Sequence, residues 1–112
     1  MPRPKKLRFV QGHPVVDAFV PMGVLPWGRG EVVLPIEGLE AIRLNDFQGL
    51  DQERAARMMN VSRQTFGRIL AEARGIVADA LVMGKTLRIE GGHFDMPPRG
   101  RGRYRRRRGG GF

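Results

Sequence analysis

Arg63, Gln64, Gly67 and Arg68 fall within six residues, with Ser62 just before them and Thr65 among them. These side chains suit the edges of base pairs. A guanidinium donates two parallel hydrogen bonds to guanine and a carboxamide pairs with adenine, each contact contributing about 1–3 kcal/mol of discrimination. Gly67 costs about 1 kcal/mol in helicity relative to Ala, but it lets a helix backbone approach a groove floor; a tolerated surface glycine is the equal alternative. Gln52, Ser62 and Thr65 supply groups suited to phosphate oxygens, the contacts that set register without reading sequence. The expected division is base reading by Arg63, Gln64, Gly67 and Arg68, and phosphate contact by Gln52, Ser62 and Thr65.

Such residues need a rigid mount, and the stretch Gln52–Ala73 supplies the pattern of one. Ala55, Ala56, Met59, Val61, Phe66 and Ile69 are spaced as in a helix-turn-helix, two helices crossing at roughly 90–120° around a shared core. Asn60 tolerates the left-handed conformation that the turn requires. Asp51 caps the first helix of the pair and Ser62 the second, its hydroxyl satisfying an orphan amide. That second helix breaks a local rule. Glu37 and Glu40 open one preceding helix and Asp51 and Glu53 the next, but no acid follows Ser62 until Glu72. Basic residues near a helix N-terminus cost roughly 0.3–1 kcal/mol each, and phosphates would reverse that sign. The plainer alternative is a solvated basic face.

The whole is expected to be mainly α: a three-helix domain spanning residues 7–92, with the motif at about 51–74. The first helix is expected over Ile36–Phe47, with Ile36, Leu39, Ile42 and Phe47 on one stripe and Gly49 ending it. The third carries Phe66, Ile69, Leu70, Ala73, Val77, Ala80 and Leu81 on a stripe sustained to Met83, continuous through Gly75 and stopped by Gly84. Residues 7–10 and 86–90 alternate apolar and polar side chains, which suggests a small two-stranded β element. Residues 11–30 hold three prolines and four glycines and are expected to form an ordered loop, with Val15, Val16, Phe19, Val24 and Leu25 folded over the core and Trp27 partly covered.

Charge is unevenly spread. Of the net +9, the first eight residues carry +4, residues 97–112 carry +7 and the body between them −2. Two basic arms flanking a slightly acidic body suit the holding of a polyanion. Residues 1–6 are expected to be an extended arm, and 93–112 an Arg/Gly-rich tail that is disordered when free. Phosphate contact is therefore expected of Arg3, Lys5 and Lys6, and of Arg99, Arg101, Arg103, Arg105, Arg106, Arg107 and Arg108. Pro98-Arg99-Gly100-Arg101 is close to an AT-hook core, although Gly102 stands where a proline usually follows. Tyr104 offers a stacking surface for RNA.

Several classes find no support. The chain has no cysteine, and His13 and His93 lack metal-ligand spacing, so no metal or cofactor is expected. No apolar run approaches the ~20 residues of a membrane span, and a cytoplasmic, nucleoid-associated protein is the default. The acid pairs look like helix-start acids with no His, Cys or phosphate loop to complete a site, so an enzyme is not expected.

The chain resembles the domain-of-unknown-function 134 family of predicted DNA-binding proteins. The resemblance rests on MPRPKK, Phe19-x-Pro21-x-Gly23, LEAIRLNDFQGLDQERAARMMNVSRQTFGRI and ALVMGKTLRIEGG, together covering residues 1 to about 92. It implies a helix-turn-helix similar to region 4 of sigma-70-type factors, and hence DNA binding, without implying polymerase recruitment. Cysteines that many members carry near position 7 and in their tails are absent here, so it implies no thiolate site.

The expected function is a sequence-specific double-stranded DNA-binding protein, a transcriptional regulator reading the major groove with the helix after Ser62. The alternative is an RNA-binding or nucleoid-associated protein acting mainly through its arms. A homodimer is open, since one helix reads only a short site.

Overall fold

The computed structural model describes residues 7–23 and 30–96. In chain order these form β1 (Arg8–Phe9), β2 (Ala18–Phe19), β3 (Glu31–Leu34), α1 (Ile36–Ile42), a π-helical turn (Arg43–Phe47), α2 (Gln52–Met58), α3 (Arg63–Met83), β4 (Thr86–Ile89) and β5 (Phe94–Asp95). The arm at 1–6, the segment 24–29 with Val24, Leu25 and Trp27, and the tail from 97 lie outside the described residues.

The mainly α, three-helix architecture with a long third helix is present. α3 runs unbroken through Gly75 and ends where Gly84 takes the left-handed conformation, φ 69°. Its buried positions Phe66 and Leu70 enter one core and Ala73 a second, and Ala80 is buried beyond them. The first core joins Ala41 and Leu44 to Ala55, Ala56, Met59, Phe66 and Leu70; the second gathers Val10, Leu34, Ile36, Ala73 and Ile89. α1 crosses α3 where Gly38 meets Ala73: a Cβ on Gly38 would lie 3.2 Å from the Ala73 methyl and 3.0 Å from Leu34. The absence of a side chain at 38 thus lets the helices close.

The β structure departs from the expected pairing of 7–10 with 86–90. β4 is the middle of a three-stranded sheet, antiparallel to β2 and parallel to β3, so both its edges are occupied. The parallel register sets Val32 against Leu87 and Leu34 against Ile89, matching apolar positions on one face. β1 pairs instead with β5, and the folded part therefore extends past the expected boundary at 92. Gly91 and Gly92, expected to open the tail, form a turn with φ 74° and 109°. Phe94 and Met96 beyond it pack on the second core.

Three smaller expectations change. The α-helix ends at Ile42, and the π turn closes with Gln48 N–H donating to the Arg43 carbonyl at 2.8 Å. The wider turn rotates later side chains, so Leu44 is buried and Phe47 is 82% exposed. Val15, Val16 and Phe19 are exposed rather than folded over the core. The stripe of α3 is buried only as far as Ala80: Leu81 is 77% exposed and Met83 is also exposed.

Candidate nucleic-acid interface

Local chemistry builds the mount. Asp51 Oδ1 accepts the Arg54 amide at 2.8 Å, capping α2. At the other end Asn60 N–H donates to the Arg57 carbonyl at 3.1 Å and Val61 N–H to Ala56 at 3.0 Å. This paired closure requires a left-handed residue just past the helix, and Asn60 supplies it at φ 60°. Val61 then packs into the helical core. Ser62 Oγ accepts the Thr65 amide at 3.1 Å and lies 3.0 Å from the Thr65 hydroxyl. The cap is the expected one; the hydroxyl contact adds a second tie.

Phe66 and Leu70 are buried, Gln64 and Arg68 are exposed on the other side of α3, and Arg63 is exposed at its first position. The expected phase of the helix is therefore present. Gly67 and Thr65 are half-buried, and Ser62 is exposed. A Cβ on Gly67 would lie 3.6 Å from Gln52 Oε1, an ordinary contact. The start of α2 thus lies against the outward side of α3, bringing the Gln52 carboxamide beside Gly67. Asp51 and Glu53 flank Gln52, so that end of α2 offers amides rather than positive charge. Arg3, Lys5, Lys6 and the seven tail arginines fall outside the described residues.

The distribution of ion pairs is the sharpest feature of this surface. Among the described residues, Arg8, Arg43, Arg74, Lys85 and Arg88 each have a carboxylate within 4.0 Å: Glu37, Glu40, Asp46, Asp79 and Glu31 respectively. The remaining described basic residues, Arg54, Arg57, Arg63 and Arg68, have none among the described residues, and all are exposed. All four lie on α2 and the first two turns of α3. The first turn of α3 holds no acid, so the partial positive charge of its N-terminus adds to theirs. Arg54 and Arg57 were not legible as site residues. Their i, i+3 spacing on the side of α2 away from Ala55 and Ala56 was the available signal.

Elsewhere, carboxylates hold the frame. Asp46 accepts from Arg74 Nη2 at 2.6 Å and Nε at 3.1 Å. The Arg74 hydrogen bonds hold the Asp46 carboxyl below its ordinary range. Glu37 and Glu40, expected to be helix-start acids, are buried. Glu37 accepts the His93 amide at 3.0 Å and Glu40 the Gln11 amide at 3.3 Å. Arg43 Nε donates to Glu40 at 3.0 Å. A Cβ on Gly92 would collide with the Glu37 carboxylate. The two acids are clamps on distant chain.

Among the described residues, no helix is long and apolar enough to cross a membrane. A family model described as "Protein of unknown function DUF134" matches residues 1–97. A UPF0251 protein from Thermoanaerobacter pseudethanolicus is 52% identical over 112 residues, covering 97% of this chain and 95% of the relative. One from Caldanaerobacter subterraneus subsp. tengcongensis is 50% identical with the same coverage. One from Moorella thermoacetica is 53% identical over 96 residues, 86% of this chain and 64% of the relative. No solved structure matches the chain.

Proposed function

Because the chain belongs to the DUF134 family, whose description assigns no activity, we propose from its surface that it is a sequence-specific double-stranded DNA-binding protein. In this reading it is a transcriptional regulator that lays the outward face of α3 in the major groove. The observation that carries the reading is the cluster of Arg54, Arg57, Arg63 and Arg68, without carboxylate partners among the described residues, while every other described basic side chain has one. Cations held by neighbouring carboxylates are already neutralised. These four are available to phosphates and to guanine.

Arg63 or Arg68 donates to guanine and Gln64 pairs with adenine. Ser62, Thr65 and Gln52 bond phosphate oxygens and fix register. The arms add affinity that is independent of sequence. Phe9 N–H donates to the Met59 carbonyl at 3.0 Å, tying β1 to the turn before α3.

The deciding experiment is competition at fixed salt, with the full chain bound to a labelled duplex selected from a random pool. The selected duplex should compete at least ~10³-fold better than random duplex, and single-stranded RNA should compete no better than random duplex. Equal competition by all three would favour the alternative in which the arms dominate.

A further inference from the structure

We propose that a second copy of this chain docks on the apolar groove at the far end of α3, making the protein a homodimer. The groove encloses about 400 Å³ between β2, the end of α3 and β4, with Phe19, Val20, Val77, Leu81, Lys85 and Leu87 among its walls. Phe19 is 56% exposed, Val20 68% and Leu81 77%, and Val82 and Met83 continue the exposed apolar surface on the helix. At that exposure Phe19, Val20 and Leu81 each leave on the order of 100 Å² uncovered in the groove, or roughly 300 Å² together, within the ~300–600 Å² of the largest patch on a monomer, a size that is often functional.

Charge selects the occupant. Two copies that each carry +9 repel over most approaches. The charged side chain in the groove wall is Lys85, whose ammonium lies 3.0 Å from Asp79. The four arginines without described partners lie at the other end of α3, with Arg68 roughly 20 Å from Leu81 along the helix. An acidic partner would be drawn to those arginines. The groove, apolar and charge-compensated, favours a partner that brings apolar knobs and no unpaired charge. A second copy brings the same Phe19 and Leu81, and a two-fold axis lets each copy fill the other's groove. Such a dimer leaves both arginine faces free, as paired half-sites on DNA require, but it does not depend on DNA binding.

Sedimentation and light scattering of the full chain, without DNA, test this over about 1–100 µM, where a micromolar dimer assembles. The expected mass is twice the 12.6 kDa of one chain. Phe19→Glu and Leu81→Glu should each halve it, while Phe47→Glu, at an equally exposed site outside the groove, should leave it unchanged. The chain has no cysteine, so Leu81→Cys supplies a sole thiol. Under mild oxidation it should form a disulfide-linked dimer, and Phe47→Cys should not. A wild-type chain that stays monomeric throughout would overturn the proposal. So would dimers of undiminished mass in both glutamate variants. A monomeric wild type whose thermal midpoint falls with Leu81→Glu would show that the chain's own residues cover the groove, which also overturns it.

Discussion

Arg68 and Arg74 sit six residues apart on α3, both exposed, and live in different electrostatic worlds. Arg74 is gripped by Asp46 and also donates to Asn45 at 3.0 Å, fastening the π turn to the helix. Arg68 has no carboxylate within 4.0 Å among the described residues. The same contrast divides the molecule. In the half built from α1, the later part of α3 and the strands, each described cation has an acid that ties one element to another or one turn to the next. Around the α2–α3 turn the helices are closed by caps and apolar contacts alone, and the cations are left over. Stability there does not use the arginines. That difference separates residues that hold the fold from residues available to a polyanion.

The largest expected break in this comparison comes from the shared core. Phe66→Ala removes a fully buried ring and should cost about 3–5 kcal/mol, whereas Leu81→Ala, at an exposed site on the same helix, should cost far less. Thermal or urea unfolding measures both. If Phe66→Ala unfolded at the wild-type midpoint, the outward assignment of Arg63, Gln64 and Arg68 would fail with the helical phase.

The arginines themselves come next. Arg63→Ala or Arg68→Ala should lose about 1–3 kcal/mol of discrimination at one base position and leave the unfolding midpoint near wild type. Arg74→Ala should do the reverse, lowering the midpoint and leaving base preference intact. Parallel binding and unfolding curves check the crossover.

The two interior glycines of α3 sharpen it further. A Cβ fits at both: nothing lies within 4 Å at Gly75, and Gln52 Oε1 lies at 3.6 Å from Gly67. Each Gly→Ala should therefore stabilise the helix by up to about 1 kcal/mol. Only Gly67→Ala should also weaken binding to a selected duplex, because its methyl enters the proposed groove contact. Equal binding by both variants would make Gly67 an ordinary surface glycine.

The smallest effect is a pH dependence. Arg74 depresses the folded-state pKa of Asp46 below 3.8, so the stability this contact adds is fully present above the unfolded value of about 3.9 and is lost as pH falls through the lower folded value. Asp46→Asn should therefore be less stable than wild type at neutral pH, with the gap closing below about pH 4. Acid titration of the two unfolding curves measures this.

What the sequence revealed follows from how local each feature is. Asp51, Asn60 and Ser62 bond amides within three or four residues, so their types and spacing announced the turn. The sheet stayed hidden because β4 has a choice of partners, and its neighbours β2 and β3 are some 55–70 residues away in the chain. Glu37 and Glu40 look like helix-start acids, but their amide partners His93 and Gln11 lie 56 and 29 residues away. That Arg54 and Arg57 have no carboxylate partner among the described residues was hidden for the same reason, since it depends on where the acids of the fold end up.

The central claim is that the cations left over at the α2–α3 turn read DNA. Its most direct test is selection from a random duplex pool by the full chain, run beside Arg68→Ala and Arg74→Ala. Wild type and Arg74→Ala should enrich the same sequence, and Arg68→Ala should enrich one that has lost its preference at a single position. No enriched sequence with wild type, or the same sequence with all three, would contradict it.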